Sequence, residues 1–128
     1  MKKTILIVDD DSDYLFQIKL KVEQFGYDVI TADSQKEAKK LIETFKPDLA
    51  IFDLMMENED SGFILSYFIK QLYPDVPVII ATAVTAETGM AFAFDNDHNK
   101  QWIKSDAILD KGIRTDRLEK EIFKLLNK

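Results

Sequence analysis

The chain has 128 residues, a length expected for one domain, and 46% of them are hydrophobic, enough for a substantial core. It contains no cysteine, which excludes disulfides and thiolate metal sites and suits a cytoplasmic protein. No apolar run reaches the roughly 18 residues of a membrane span, and the net charge of −6 argues against direct nucleic-acid binding while suiting a domain that attracts cations.

The first element, Thr4-Ile5-Leu6-Ile7-Val8, holds an unbroken apolar run from Ile5 to Val8 and ends in Asp9-Asp10-Asp11. It reads as a central strand and an acidic loop. The preceding Met1-Lys2-Lys3 is not read as a leader, because the apolar run is short and three acids follow it. A first helix is expected from about Ser12 to Phe25, with Leu15, Ile18, Val22 and Phe25 on one face and Gly26 as its stop. Tyr27 to Ala32 suits a more peripheral strand. Ser34 and Glu37 have capping-box spacing, and Ala38, Leu41, Ile42 and Phe45 mark the inner face of a second helix.

Pro47 ends that helix, and Leu49-Ala50-Ile51-Phe52 forms a third strand that stops at Asp53. A run without polar alternation fits a strand covered on both faces, as in a parallel sheet. After a polar loop, a third helix is expected from Phe63 to Tyr73, with Ile64, Tyr67, Phe68 and Leu72 inward. Val78-Ile79-Ile80-Ala81 is a fourth strand ending in Thr82. From Val84 to Lys104 the pattern blurs, and a long loop with a short fourth helix near Asn99 to Lys104 is expected. Ala107-Ile108-Leu109 is a fifth strand ending in Asp110-Lys111. Thr115 is read as the cap of a fifth helix, with Leu118, Ile122, Leu125 and Leu126 facing the core. Five strand–helix repeats imply an α/β, doubly wound parallel sheet with helices on both faces.

The strand ends carry the chemistry. Asp9 and Asp10 follow strand one, Asp53 strand three, Thr82 strand four and Lys111 strand five. Each has an ordinary explanation alone: a helix cap, a strand threonine, a surface lysine. In a parallel sheet these ends share one edge, and the ligand crevice of such sheets lies beyond it. Three converging carboxylates repel unless a cation lies between them, and oxygen ligation suits Mg²⁺ or Mn²⁺. A carboxylate there can accept a phosphoryl group as an aspartyl phosphate.

With these motifs collected, the chain resembles a response-regulator receiver domain of two-component signalling, a single-domain form like the chemotaxis regulator. The resemblance rests on Ile5–Asp11, Pro47–Met56, Pro77–Ala83 and Asp110-Lys111 and spans essentially the whole sequence, 1–128. It implies the flavodoxin-like strand order 2-1-3-4-5 with five helices. It makes Asp53 the phosphoacceptor and Asp9, Asp10, Asp53 and the backbone carbonyl of Met55 the Mg²⁺ ligands. Thr82 becomes the switch hydroxyl and Lys111 the phosphate-binding lysine.

The sequence departs from the family's common form in four places. Glu57 stands where a proline is usual, four residues past the acceptor, with one extra residue before Gly62. Gly112 stands where a proline usually follows the lysine; the family's Lys-Pro bond is often cis, and a trans bond is expected here because a cis bond before a non-proline residue costs about 2.5–4 kcal/mol. Ile108 replaces an aromatic residue. The stretch between Thr82 and Lys111 is longer by roughly two helical turns, with the excess expected within residues 85–99. There Met90, Phe92 and Phe94 either pack the loop or form an output surface.

Two other functions compete. A receiver that no longer takes phosphate would act as a protein-interaction module. A haloacid-dehalogenase-type phosphatase also uses a strand-end aspartate, but Asp13 stands where that family needs a threonine. Calcium-loop spacing occurs at Asp9, Asp11, Asp13 and at Asp95, Asp97, Asn99, but Tyr14 and Lys100 occupy the positions that need glycine. The expected partners are a histidine kinase or phosphotransfer protein and an unidentified output protein, with no membrane and no nucleic acid contacted directly. A monomer or weak dimer is expected, without enzymatic activity beyond its own phosphorylation and dephosphorylation.

Overall fold

A computed structural model describes residues 2–83 and 106–127. Five parallel strands form its sheet: β1 (Thr4–Val8), β2 (Asp28–Ala32), β3 (Leu49–Asp53), β4 (Val78–Thr82) and β5 (Ala107–Asp110). Their order is β2-β1-β3-β4-β5, as the resemblance implied. Four helices lie among the described residues: α1 (Ser12–Gln24), α2 (Gln35–Thr44), α3 (Ser61–Leu72) and α4 (Thr115–Leu126). The short helix expected near Asn99 to Lys104, the segment 85–99 with Met90, Phe92 and Phe94, and His98 lie outside the described residues.

The apolar runs are unbroken because the strands alternate between two cores. Leu6, Val8, Ala50, Phe52, Val78 and Ile80 pack with Ala38 and Ile42 of α2 and Leu65 and Ile69 of α3. Ile5, Ile7, Leu49, Ile51, Ile79 and Ala81 pack with Ile18 and Val22 of α1 and Leu118, Ile122 and Leu125 of α4. Each fully buried Leu or Ile contributes about 1.5–3 kcal/mol relative to exposure. Register then aligns the strand ends: Val8 pairs with Phe52, Asp53 with Ala81, and Thr82 with Asp110.

The helix termini follow local chemistry. Asp11 caps α1, its Oδ1 accepting from the amides of Asp13 at 3.1 Å and Tyr14 at 3.2 Å. Gly26 ends α1 with φ +102°, a conformation that favours glycine. Ser34 caps α2 by accepting from Glu37 N at 3.1 Å. Thr115 is not the cap of α4 but its first residue. The extended Arg114 holds the cap position, and its carbonyl accepts from Leu118 N at 3.0 Å.

Helix α3 departs most from expectation. It begins two residues early, at Ser61, and its buried stripe is Ser61, Gly62, Phe63, Leu65, Ser66 and Ile69. Ile64 and Phe68 are only partly buried, and Tyr67 and Leu72 are exposed at 48% and 47%. The reason is the approach distance. A Cβ on Gly62 would stand 2.7 Å from the Asp53 carbonyl oxygen, so the helix packs on β3 through its smallest residues. A reading that ranks positions by apolar bulk selects a different face. Leu65→Ala is expected to destabilise the protein by about 2–5 kcal/mol, and Leu72→Ala by less than about 1 kcal/mol. Urea unfolding of the two variants measures this, and the opposite order would restore the sequence-derived face.

Candidate functional site

The site forms where three neighbouring strands end. Asp9 leaves β1 with its amide bonded to Ala32 O at 3.2 Å, and its Oδ1 accepts from Asp11 N at 2.9 Å. The three-acid run thus divides its work. Asp9 is buried in the site, Asp10 lies on its exposed rim, and Asp11 turns away to cap α1. Asp53 ends β3 and is 7% exposed. Carboxylate oxygens of Asp9, Asp10 and Asp53 lie within 4.8 Å of one another.

Lys111 enters from the β5 end. Its Nζ lies 2.8 Å from Asp9 Oδ2 and 3.1 Å from Asp53 Oδ1. Its amide donates to Thr82 O at 3.0 Å, which ties the lysine's backbone to the end of β4. Thr82 itself is buried there, one residue beyond the Asp53–Ala81 pair. Asp110 shapes the turn by accepting from Gly112 N at 2.6 Å, a bond that a proline at this position would lack. No peptide bond among the described residues is cis, and Lys111–Gly112 is trans as expected. Ile108 packs at the edge of the core formed by α2 and α3. Met55 lies two residues past Asp53 on the exposed β3–α3 loop.

Two contributors were not read as site residues in the sequence. The Tyr14 ring covers Lys111, with Nζ 4.6 Å from the ring centre, a cation–π contact. Glu57 bonds to the start of α2 from the loop after Asp53. Tyr14 had a signal in its place on the first turn after the acidic run. Glu57 had one in replacing a proline, but its partner is distant in sequence.

The electrostatics match the crowding. Burial, then the charge of Asp9, raises the Asp53 carboxyl to about 6, and Lys111 only partly offsets this. Burial disfavours the Lys111 ammonium, but its hydrogen bonds to Asp9 and Asp53 outweigh that and hold its pKa above the ordinary value. Burial pushes the Tyr14 hydroxyl up to about 12. Three converging carboxylate oxygens, one of them from the buried Asp53, constitute a donor set suited to a hard divalent cation.

A flavodoxin-like sheet with an acidic pocket and a lysine at its switch point defines a class of phosphoryl-handling α/β domains. The family model for the response regulator receiver domain matches residues 5–122, and the chain belongs to that family. Over 87 residues it is 38% identical to the alkaline phosphatase synthesis transcriptional regulatory protein PhoP of Bacillus subtilis. That match covers 68% of this chain and 36% of the regulator. It is also 33% identical over 104 residues to the transcriptional regulatory protein KdpE of Staphylococcus aureus, covering 81% of this chain and 44% of KdpE. The chain thus spans less than half the length of these relatives.

Among solved structures, a CheY-like receiver domain protein from Methanospirillum hungatei superposes with a TM-score of 0.83 at 27% identity, covering 99% of this chain and 95% of that one. The response regulator TrrA of Thermotoga maritima, solved in complex with Mg²⁺-BeF, gives 0.79 at 26% identity, covering 98% and 99%. Receiver domains are the phosphoacceptor modules of two-component signalling. They bind Mg²⁺ at an acidic pocket and interact with histidine kinases and output domains.

In metal-free protein, the Asp53 carboxyl followed by ¹³C NMR is expected to titrate near 6, and a midpoint near 3.8 would contradict the geometry. Between those values the folded protein keeps a proton that the unfolded chain has released. This group therefore adds stability as pH falls through that window, and the contribution is lost as pH rises through about 6. Asp53→Asn should remove that part of the pH dependence in denaturant midpoints.

Proposed function

We propose that Asp53 is the phosphoacceptor of this receiver domain, with Asp9, Asp10, Asp53 and the Met55 backbone carbonyl holding Mg²⁺, or Mn²⁺ in its place. The observation that carries this reading is the buried Asp53 carboxylate, held between Lys111 and the Asp9–Asp10 pair at the end of β3. The Mg²⁺-BeF complex of the related TrrA supports it. When bound, the cation would neutralise charge on the phosphoryl oxygens.

The chain's own residues divide the remaining work. An Asp53 oxygen attacks the phosphorus of a phosphohistidine. The P–O bond forms as the P–N bond breaks, and the electron pair leaves with the imidazole nitrogen, which takes a proton from solvent. Lys111 already bridges Asp9 and Asp53, and its ammonium is positioned to exchange the Asp53 contact for a phosphoryl oxygen. Thr82 is the switch hydroxyl at the neighbouring strand end, able to donate to another phosphoryl oxygen. Water attack on phosphorus then releases inorganic phosphate and restores Asp53.

In this reading the whole chain is one receiver domain, working in the cytoplasm as a monomer or weak dimer. A histidine kinase or phosphotransfer protein supplies the phosphoryl group, and a separate protein or an output domain reads it. The protein is no enzyme beyond its own phosphorylation and dephosphorylation. Among the described residues, no helix is long and apolar enough to cross a membrane.

Intact-mass measurement with a small phosphodonor and Mg²⁺ tests the assignment. Wild type should gain one phosphoryl group, and Asp53→Asn or EDTA should prevent it. Full uptake by Asp53→Asn would overturn the assignment, and no uptake by the wild type would favour a protein-interaction module. Mg²⁺ binds the folded state, so at 100 times its Kd it should add about 2.7 kcal/mol of stability. In EDTA, Asp10→Asn should melt above wild type, because one of three like charges is removed. It should also lose most of the Mg²⁺ response.

A further inference from the structure

The loop after Asp53 is clamped to α2, the helix that shares a core with α3. One Glu57 carboxylate oxygen accepts from Gln35 N at 2.8 Å, and the other accepts from Lys36 N at 3.2 Å. These are the first two amides of α2, a position that favours a carboxylate. Asn58 adds a bond from Nδ2 to Gln35 Oε1 at 3.2 Å. Ser34 separately accepts from the third amide, that of Glu37, at 3.1 Å. The anchor is rigid, because Ala38 and Ile42 fix α2 in the core with no exposed surface.

The loop's other end is fixed too. Gly62 N donates to Leu54 O at 2.8 Å, and Asn58 N donates to Ser61 Oγ at 3.0 Å. Met55 and Met56 are therefore spanned between two fixed points, the end of β3 and the Glu57 clamp. A proline would limit such a loop by fixing its own φ. Here the restraint comes from a side chain that reaches another element.

We propose that Glu57 is a positioning residue for the acidic site: its clamp on α2 sets the path of the loop that carries the Met55 carbonyl. The inference rests on the reading of Asp9, Asp10, Asp53 and Met55 as Mg²⁺ ligands. Glu57 does not touch the ion; it acts through the loop backbone, as outer groups commonly orient metal ligands.

Calorimetric titration of the full chain with Mg²⁺ tests this. Glu57→Ala should raise the Kd about tenfold. Glu57→Gln keeps the reach and one oxygen acceptor but not the charge, and should bind closer to wild type than the alanine variant does. Ser34→Ala weakens the same helix terminus without touching the loop, so it should lower the Tm and leave the Kd unchanged. Hydrogen exchange at Gln35 and Lys36 should accelerate in Glu57→Ala. A wild-type Kd in Glu57→Ala would overturn the proposal. So would equal Kd values for the Gln and Ala variants, which would indicate charge alone, or a Kd raised as much by Ser34→Ala. Asp53→Asn is the separate control: if it binds Mg²⁺ like wild type, the reading of the site itself fails.

Discussion

The site depends on the ammonium of Lys111 standing between Asp9 and Asp53. Two buried carboxylates converge with a third at the rim, and without a counter-charge their repulsion would oppose the fold. Lys111 supplies one positive charge to three acids, so compensation is partial. Burial and, after it, the charge of Asp9 therefore still raise the proton affinity of Asp53. Incomplete neutralisation leaves the pocket receptive to a divalent cation and then to a phosphoryl group, whose anionic oxygens need the same cations. The crowding of the three acids and their suitability for a divalent cation have one electrostatic origin.

That arrangement requires strands to end together. Parallel pairing places the C-terminal ends of β1, β3, β4 and β5 along one edge. Two apolar cores, one on each face, hold the register with no polar side chain inside the runs. A one-residue slip of β3 would move Phe52 to the other face and carry Asp53 out of reach of Lys111. Packing specificity and site geometry are therefore the same constraint. Gly62 belongs to it as well, since only a residue without Cβ lets α3 start so close to the Asp53 carbonyl.

The departures from the family's common sequence are handled locally. Where a proline is usual after the lysine, Gly112 offers an N–H that Asp110 accepts, closing the turn by a hydrogen bond. Where a proline is usual in the β3–α3 loop, Glu57 ties the loop to α2. In both places a ring that restricts the backbone is replaced by a carboxylate that binds a backbone amide. The side chains at the strand ends keep their places, and the restraints around them differ.

The sequence by itself determined the strands, the alternation of strand and helix, and the polar groups at the strand ends, because unbroken apolar runs and the residues that stop them are local signals. It also determined the inner faces of α1 and α2, where bulky residues recur at helical spacing. Tertiary structure alone decided the face of α3, because Gly62, Ser61 and Ser66 are buried by a close approach to β3 that bulk-based reading cannot detect. It decided that Arg114 rather than Thr115 caps α4, through the backbone path leaving the Asp110 turn. It also decided the partners of Tyr14 and Glu57. Those contacts join residues 97 and 22 positions apart or nearly so, Lys111 with Tyr14 and Glu57 with Gln35, and such pairs become neighbours only once the sheet has ordered the helices around it.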